Sequence, residues 1–173
     1  MSIKAKSRCQ LRSKMSFSII ACVGKNNELG RDGGLVFSIK EDMKFFKETT
    51  MGHPVIMGDR TFFSLPKALP GRTNYVLTRH PEDLPDTVTP VTDMDAFIDE
   101  FSSSDTEVFV IGGGFVYKEF LPHASALYLT EVDASAEADT FFPEFDKSLY
   151  DREVIRESAQ DDLKYSFVKY TKK

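Results

Sequence analysis

The sequence predicts an α/β protein: one domain built on a twisted, mostly parallel sheet with helices on both faces and an antiparallel hairpin at its C-terminal end. Three observations carry this. Short, mainly apolar runs at 17–23, 54–57 and 108–111 are too brief for core helices and suit strands covered on both faces. The second and third run through glycine into helical patterns, as strand-to-helix junctions do. The last extended segments, 152–157 and 163–170, are separated only by a turn around Gln160-Asp161-Asp162.

With 173 residues, 41% hydrophobic and 28% charged, the chain has the composition of a soluble globular domain. Lys4, Lys6, Arg8, Arg12 and Lys14 stand in residues 1–15 without an acid, so the body is more acidic than the whole chain's net −5. Such a body argues against nucleic acid as a partner. The basic segment lacks the apolar core of a secretory signal and reads as a disordered tail ahead of the folded domain 16–173, with an organelle-targeting peptide as the alternative. No run approaches membrane-spanning length, Cys9 and Cys22 make no disulfide framework, and the three histidines have no metal-ligand spacing. A cytoplasmic protein without membrane or metal is expected.

After the first strand, residues 24–37 read as a polar loop with Gly30, Gly33 and Gly34, either a mobile cover for a ligand or a plain connection. Ser38-Ile39-Lys40-Glu41 reads as a capping box, which starts a helix at Ile39. Ile39, Met43 and Phe46 recur at i, i+4 and i+7, and Asp42 falls on the same face. Glu41 already complements the helix N-terminus, so an acid on the core side favours function. Gly58 with Asp59-Arg60-Thr61 opens a short helix, and Leu65 to Arg72 is a proline-rigid loop ending in a turn. Residues 74–78 form a strand with Arg79 at its carboxyl end, where α/β sheets bind ligands. A strand near Val88 and a helix over 93–101 follow.

Glu107 to Tyr117 organises the rest: an apolar strand, then Gly112, Gly113 and Gly114, then a helix with Val116, Phe120 and Leu121 on one face. Glycines let a ligand approach the backbone, and the helix start favours a phosphate. The run does not fit G-x-G-x-x-G with a ribose-binding acid, so a tight connection is the competing reading. Two such junctions point to a long phosphate-bearing ligand. Residues 126–132 form a strand carrying Thr130, and Glu137 to Thr140 a polar loop.

Read together in order and spacing, Ile-Ile-Ala-Cys-Val with Leu29-Gly30, Asp42-Met43-Lys44-Phe45-Phe46-Lys47, Pro54-Val55-Ile56-Met57-Gly58 with Thr61, Leu69-Pro70-Gly71-Arg72, Val110 to Tyr117 and Leu129-Thr130 resemble the dihydrofolate reductases. The likeness covers nearly all of 17–170. It implies hydride transfer from NADPH to dihydrofolate between two flat rings held about 3–3.5 Å apart in an apolar cleft.

By this resemblance the catalytic positions are Asp42, Tyr117 and Phe37, with Asp42 binding the pterin's amidine edge beside Thr130 and promoting protonation through bound water. Burial would raise the Asp42 pKa and hydrogen bonding would lower it, which leaves the direction open. Ile20, Ala21, Met43, Phe46, Leu65, Lys67, Leu69 and Ile111 would line the folate, and Arg72 would fork onto its glutamate carboxylate. For the apolar ones, core packing competes. Cys22, Leu29, Gly30, Gly34, Leu35, Gly58, Arg60, Thr61, Leu77, Thr78, Arg79, Ile111, Gly112, Gly113, Gly114, Phe115, Val116 and Tyr117 would hold the cofactor, with a cis peptide between Gly112 and Gly113. A monomer open to antifolate inhibition is implied too.

Two positions depart from the family pattern. Val36-Phe37 stands where bacterial members have Pro-Trp, and Asp59 where a basic residue is common. Asp59 would repel a 2′-phosphate, but a charge-assisted contact from Arg79 at roughly 1.5–3 kcal/mol outweighs a screened repulsion of about 1 kcal/mol, so NADPH is expected over NADH. The rival readings are a riboflavin-pathway pyrimidine reductase of the same fold and a non-catalytic folate- or nucleotide-binding protein.

Overall fold

The computed structural model describes residues 17–173; the basic segment and Cys9 lie outside the described residues. The elements are β1 (Phe17–Val23), β2 (Glu28–Arg31), β3 (Gly34–Leu35), α1 (Lys40–Thr50), β4 (Val55–Gly58), α2 (Asp59–Ser64), β5 (Asn74–Leu77), β6 (Thr89–Val91), α3 (Met94–Ser102), β7 (Val108–Val110), α4 (Gly114–Phe120), β8 (Ala126–Val132), β9 (Thr140–Phe141), β10 (Tyr150–Gln160) and β11 (Leu163–Lys172). Eight strands form one sheet in the order β10-β11-β8-β1-β7-β4-β5-β6. The six from β8 to β6 pair in parallel, and β11 and β10 add to them antiparallel. The expected α/β sheet with its terminal hairpin is therefore present.

Alternation along the strands sorts the core into two layers. Phe17, Ile19, Ala21 and Val23 of β1 face a cluster completed by Phe97 and Ile98 of α3 and Val116 and Phe120 of α4. Ile20 faces the opposite layer, with Val55, Met57, Phe109 and Phe62 of α2, against which Phe45 and Phe46 of α1 pack. Cys22 continues that second layer into a cluster with Phe37, Ile39, Val132, Tyr165 and Phe167. Each fully buried apolar side chain contributes about 1.5–3 kcal/mol, and both faces of β1 are used. That is why its sequence is apolar almost throughout.

Three expectations need correcting. Residues 24–37 are not a plain loop: β2 and β3 pair as a hairpin, and β2 also pairs with β9. Asp32 and Gly33 carry φ of 52° and 82°, the two positive values a tight two-residue hairpin turn requires. The capping box does not form, because α1 begins at Lys40 behind Ile39 with no local side-chain cap. Gln160 replaces it, accepting from Lys40 N at 2.9 Å and donating to Ser38 O at 3.1 Å. Nor is the Ile39, Met43, Phe46 face wholly core, since Met43 is 60% exposed. The strand near Val88 is β6, and Pro90 is tolerated there because β6 is an edge.

Candidate active site

A cleft begins where two neighbouring strands part. β1 pairs with β7 from Phe17 opposite Val108 to Ile19 opposite Val110 and no further. Beyond that, Ile111 N donates to Ile56 O at 3.0 Å and Gly58 N to Gly112 O at 2.9 Å. The chain thus follows β4 and leaves β1, opening the sheet at its carboxyl ends. The Ile20 carbonyl, next along β1, accepts from Tyr117 Oη at 2.8 Å. Burial raises the Tyr117 pKa and the Asp42 charge adds to it, so the phenol is a fixed neutral donor.

Asp42 enters from the first turn of α1. Cys22 and Thr130 are direct partners across β1 and β8, and their side chains lie on the layer that faces α1. Thr130 Oγ1 donates to Asp42 Oδ1 at 2.5 Å. Burial raises the Asp42 pKa; the Thr130 hydroxyl and the Cys22 thiol pull it back only in part. That settles the direction the sequence left open. Burial, reinforced by the Asp42 charge, raises the Cys22 pKa as well, which makes the thiol unreactive. Phe37 packs in the same cluster and offers shape without a polar atom.

The two glycine junctions lie side by side because β4 and β7 are neighbours. The Gly112–Gly113 peptide is cis, and Gly112 has φ of 129°, a backbone that other residues rarely adopt. Thr61 Oγ1 lies 3.6 Å and 3.4 Å from where a Cβ on Gly112 or Gly113 would stand. Gly114 has no room for one at all, with Thr140 Cγ2 at 2.9 Å.

Comparison with known proteins decides what this cleft belongs to. The family model for dihydrofolate reductase matches residues 16–172. The type 3 dihydrofolate reductase of Salmonella typhimurium is 39% identical over 153 residues, 88% of this chain and 93% of that protein. Dihydrofolate reductase HdrB of Haloferax volcanii is 37% identical over 91% of this chain and 84% of its own length. The chain belongs to the dihydrofolate reductase family. A dihydrofolate reductase from Enterococcus faecalis, solved with NADP(H) and RAB-propyl, matches with a TM-score of 0.83 at 26% identity, covering 92% of this chain and 97% of that one. The activity is the NADPH-dependent reduction of dihydrofolate to tetrahydrofolate.

In this reductase the expected residues separate into three groups. Ile20, Phe46, Leu65, Leu69 and Ile111 share the second core layer on the Asp42 side of the sheet. Met43, Lys67, Leu35, Gly34, Phe115, Arg60 and Arg79 are exposed and free to meet a ligand. Ala21, Leu29 and Val116 are different: their side chains enter the first layer, because the strand alternation that sends Ile20 and Cys22 to the cleft sends Ala21 away from it. These three can meet a ligand only through backbone or indirectly.

Arg72 is held by a network the sequence did not announce. Asn74 accepts from Leu69 N at 2.9 Å and donates to Leu69 O at 2.9 Å and Arg72 O at 2.8 Å, which fixes the proline loop. Arg72 itself donates to Pro70 O at 3.0 Å and Thr50 Oγ1 at 3.0 Å. It makes no ion pair among the described residues, and burial lowers its pKa. Beside Leu77, which pairs with Gly58, Thr78 Oγ1 donates to Asp59 Oδ2 at 3.0 Å. Asp59 is thereby held against β5 rather than left swinging toward solvent.

The β2–β3 hairpin is tied to the loop before β9. Arg31 meets Glu137 at 2.6 Å, and Asp139 accepts from Asp32 N at 2.9 Å. Glu28, 2% exposed, accepts from Asn26 N at 2.5 Å and Ala136 N at 2.8 Å. Neither Asn74 nor Glu28 sits in a sequence pattern that marks it; what distinguishes both is a buried polar side chain on which backbone groups converge.

Proposed function

We propose that Asp42 holds the amidine edge of the pterin and keeps the proton supply beside it, with Thr130 orienting the carboxylate. The observation that supports this is a carboxylate made more basic by burial, lying over the β1–β8 pair with only the Thr130 hydroxyl and the Cys22 thiol as side-chain donors upon it. Ile20, Phe46, Leu65, Leu69 and Ile111 exclude water from the reacting rings, and Arg72 receives the substrate's glutamate carboxylate. Phe37 fills the place of an indole without its N–H.

The residues at the other side of the cleft fit a dinucleotide phosphate. Arg60 and Arg79 are exposed and make no ion pair among the described residues, and the Thr61 hydroxyl beside the glycine turn makes no hydrogen bond there. When bound, NADPH supplies the hydride; the chain's part is to place the ring against the substrate and exclude water. Tyr117 fixes the floor through the Ile20 carbonyl. Arg79, aided by Arg60, favours the 2′-phosphate, while Asp59 is held by Thr78.

We infer a monomeric, antifolate-binding enzyme of the cytoplasm, with residues 16–173 as its folded unit. No described helix is long and apolar enough to cross a membrane. Purified protein mixed with dihydrofolate and NADPH should lose nicotinamide absorbance with formation of tetrahydrofolate. Turnover of a pyrimidine ribosyl phosphate instead, or binding without turnover, would replace this reading by one of its rivals.

A further inference from the structure

We propose that the tip of the β10–β11 hairpin, acting through Gln160, is a positioning element for Asp42. This rests on the reading of Asp42 as the acid of the site. A helix start leaves backbone N–H groups without partners, and Ile39, at the cap position, has no side-chain acceptor to offer. The Gln160 amide spans that start, with its oxygen on Lys40 N at 2.9 Å and its nitrogen on Ser38 O at 3.1 Å. Gln160 is the last residue of β10 and pairs with Leu163 across a turn in which Asp161 has φ of 54°.

The contact extends down one face of the strand. Ser158, two residues back, donates to Glu41 Oε2 at 3.3 Å, and Arg156 Nε lies 3.6 Å from Glu41 Oε1. That oxygen is buried without a hydrogen-bond partner, so the Arg156 charge is its compensation. Residues 156, 158 and 160 therefore grip Lys40 and Glu41, the two residues directly before Asp42. The same hairpin holds the other end of the Asp42–Thr130 bond, because Phe167 of β11 pairs with Thr130 and its ring packs on Phe45 of α1 at 4.5 Å. One hairpin thus sets both the helix that brings Asp42 and the strand that brings its partner.

The test compares Gln160→Ala with Gln160→Glu in the full chain. Glutamate keeps the acceptor for Lys40 N and adds a charge favourable at a helix start, while giving up the donor to Ser38 O, so it isolates the Lys40 contact. In Gln160→Ala the Lys40 amide should exchange faster by roughly two- to thirtyfold, the range that loss of a helix cap gives. Its kcat for dihydrofolate should fall several-fold with the KM for NADPH unchanged, and the Asp42 carboxyl carbon resonance should move. Gln160→Glu should restore all three. Unaltered Lys40 exchange, an unmoved Asp42 resonance, or a kcat loss that Gln160→Glu does not restore overturns the proposal. A wild type that never reduces dihydrofolate overturns the functional reading instead; exchange and the carboxyl resonance, which need no substrate, then still decide the positioning claim.

Discussion

Two carboxylates on either side of the β1 terminus show how burial is offset in one place and left standing in another. Glu28, at the base of the β2–β3 hairpin, is fully buried, and burial alone would raise its pKa; the Ala136 and Asn26 amides and the Ser135 hydroxyl outweigh that and hold it below the usual glutamate value. Asp42, over the β1–β8 pair, has only Thr130 and Cys22 to offset burial, and its pKa rises. The difference is the number and kind of donors: backbone amides fix a charge in place, whereas two side-chain donors leave capacity for a ligand.

The largest effect should come from Asp42→Asn. It should lower turnover of dihydrofolate by orders of magnitude while NADPH binding, measured by fluorescence titration, stays near wild type. Thermal unfolding at neutral pH should show equal or greater stability, because an ionised Asp42 is disfavoured by burial. The sign follows from linkage: with a raised folded pKa, stability from Asp42 is present below its unfolded pKa and lost as pH rises through the folded one. Near-normal turnover in this variant would end the contrast between the two acids.

Glu28→Gln comes next and should act on stability. Replacing a charged acceptor of two amides should cost about 1–3 kcal/mol in chemical denaturation. In the wild type its pKa is lowered, so its contribution is present above the unfolded glutamate pKa and lost as pH falls through the folded one. A variant as stable as wild type would show that the amides find other partners.

Arg72→Leu should raise the KM for dihydrofolate far more than for a pteridine without the glutamate tail; equal increases would make Arg72 structural. The smallest effect is expected at the exposed phosphate side. Arg79→Ala should reduce kcat/KM with NADPH several-fold and hardly change it with NADH, and Asp59→Arg should raise the NADPH value. Wild-type use of NADH as readily as NADPH would remove Arg79 from that role.

How much of this could be read from the chain depends on how local each cause is. β1 was legible to the residue because a strand buried on both faces is apolar almost throughout, and β8 because its apolar residues are interrupted only by Thr130 and Glu131 near its end. Helical spacing placed Asp42 on the Ile39 and Phe46 side of α1, where its carboxylate meets Thr130, although Met43 of the same pattern is exposed; the Thr50 and Pro70 contacts that hold Arg72 left no mark in the sequence. The β2–β3 hairpin was hidden among polar residues, although Asp32-Gly33 is itself a hairpin signal. The cap of α1 was misread for a different reason: Ser38 is adjacent, but Gln160, the residue that wins, lies 122 positions away from it. Glu28 depends on Ala136, 108 positions off, and no local pattern reports such a partner.

The arrangement of β1 has a consequence for synthesis. It is the first described strand, yet its neighbours are β7, met at Val108, and β8, met at Ala126. As the chain leaves the ribosome, Phe-Ser-Ile-Ile-Ala-Cys-Val must wait, apolar and unpaired, until most of the sequence has followed. Long-range parallel pairing of this kind is slow to close. A nascent chain stalled before β7 therefore presents unpaired apolar surface at what will be the centre of the sheet, the kind of surface that aggregates.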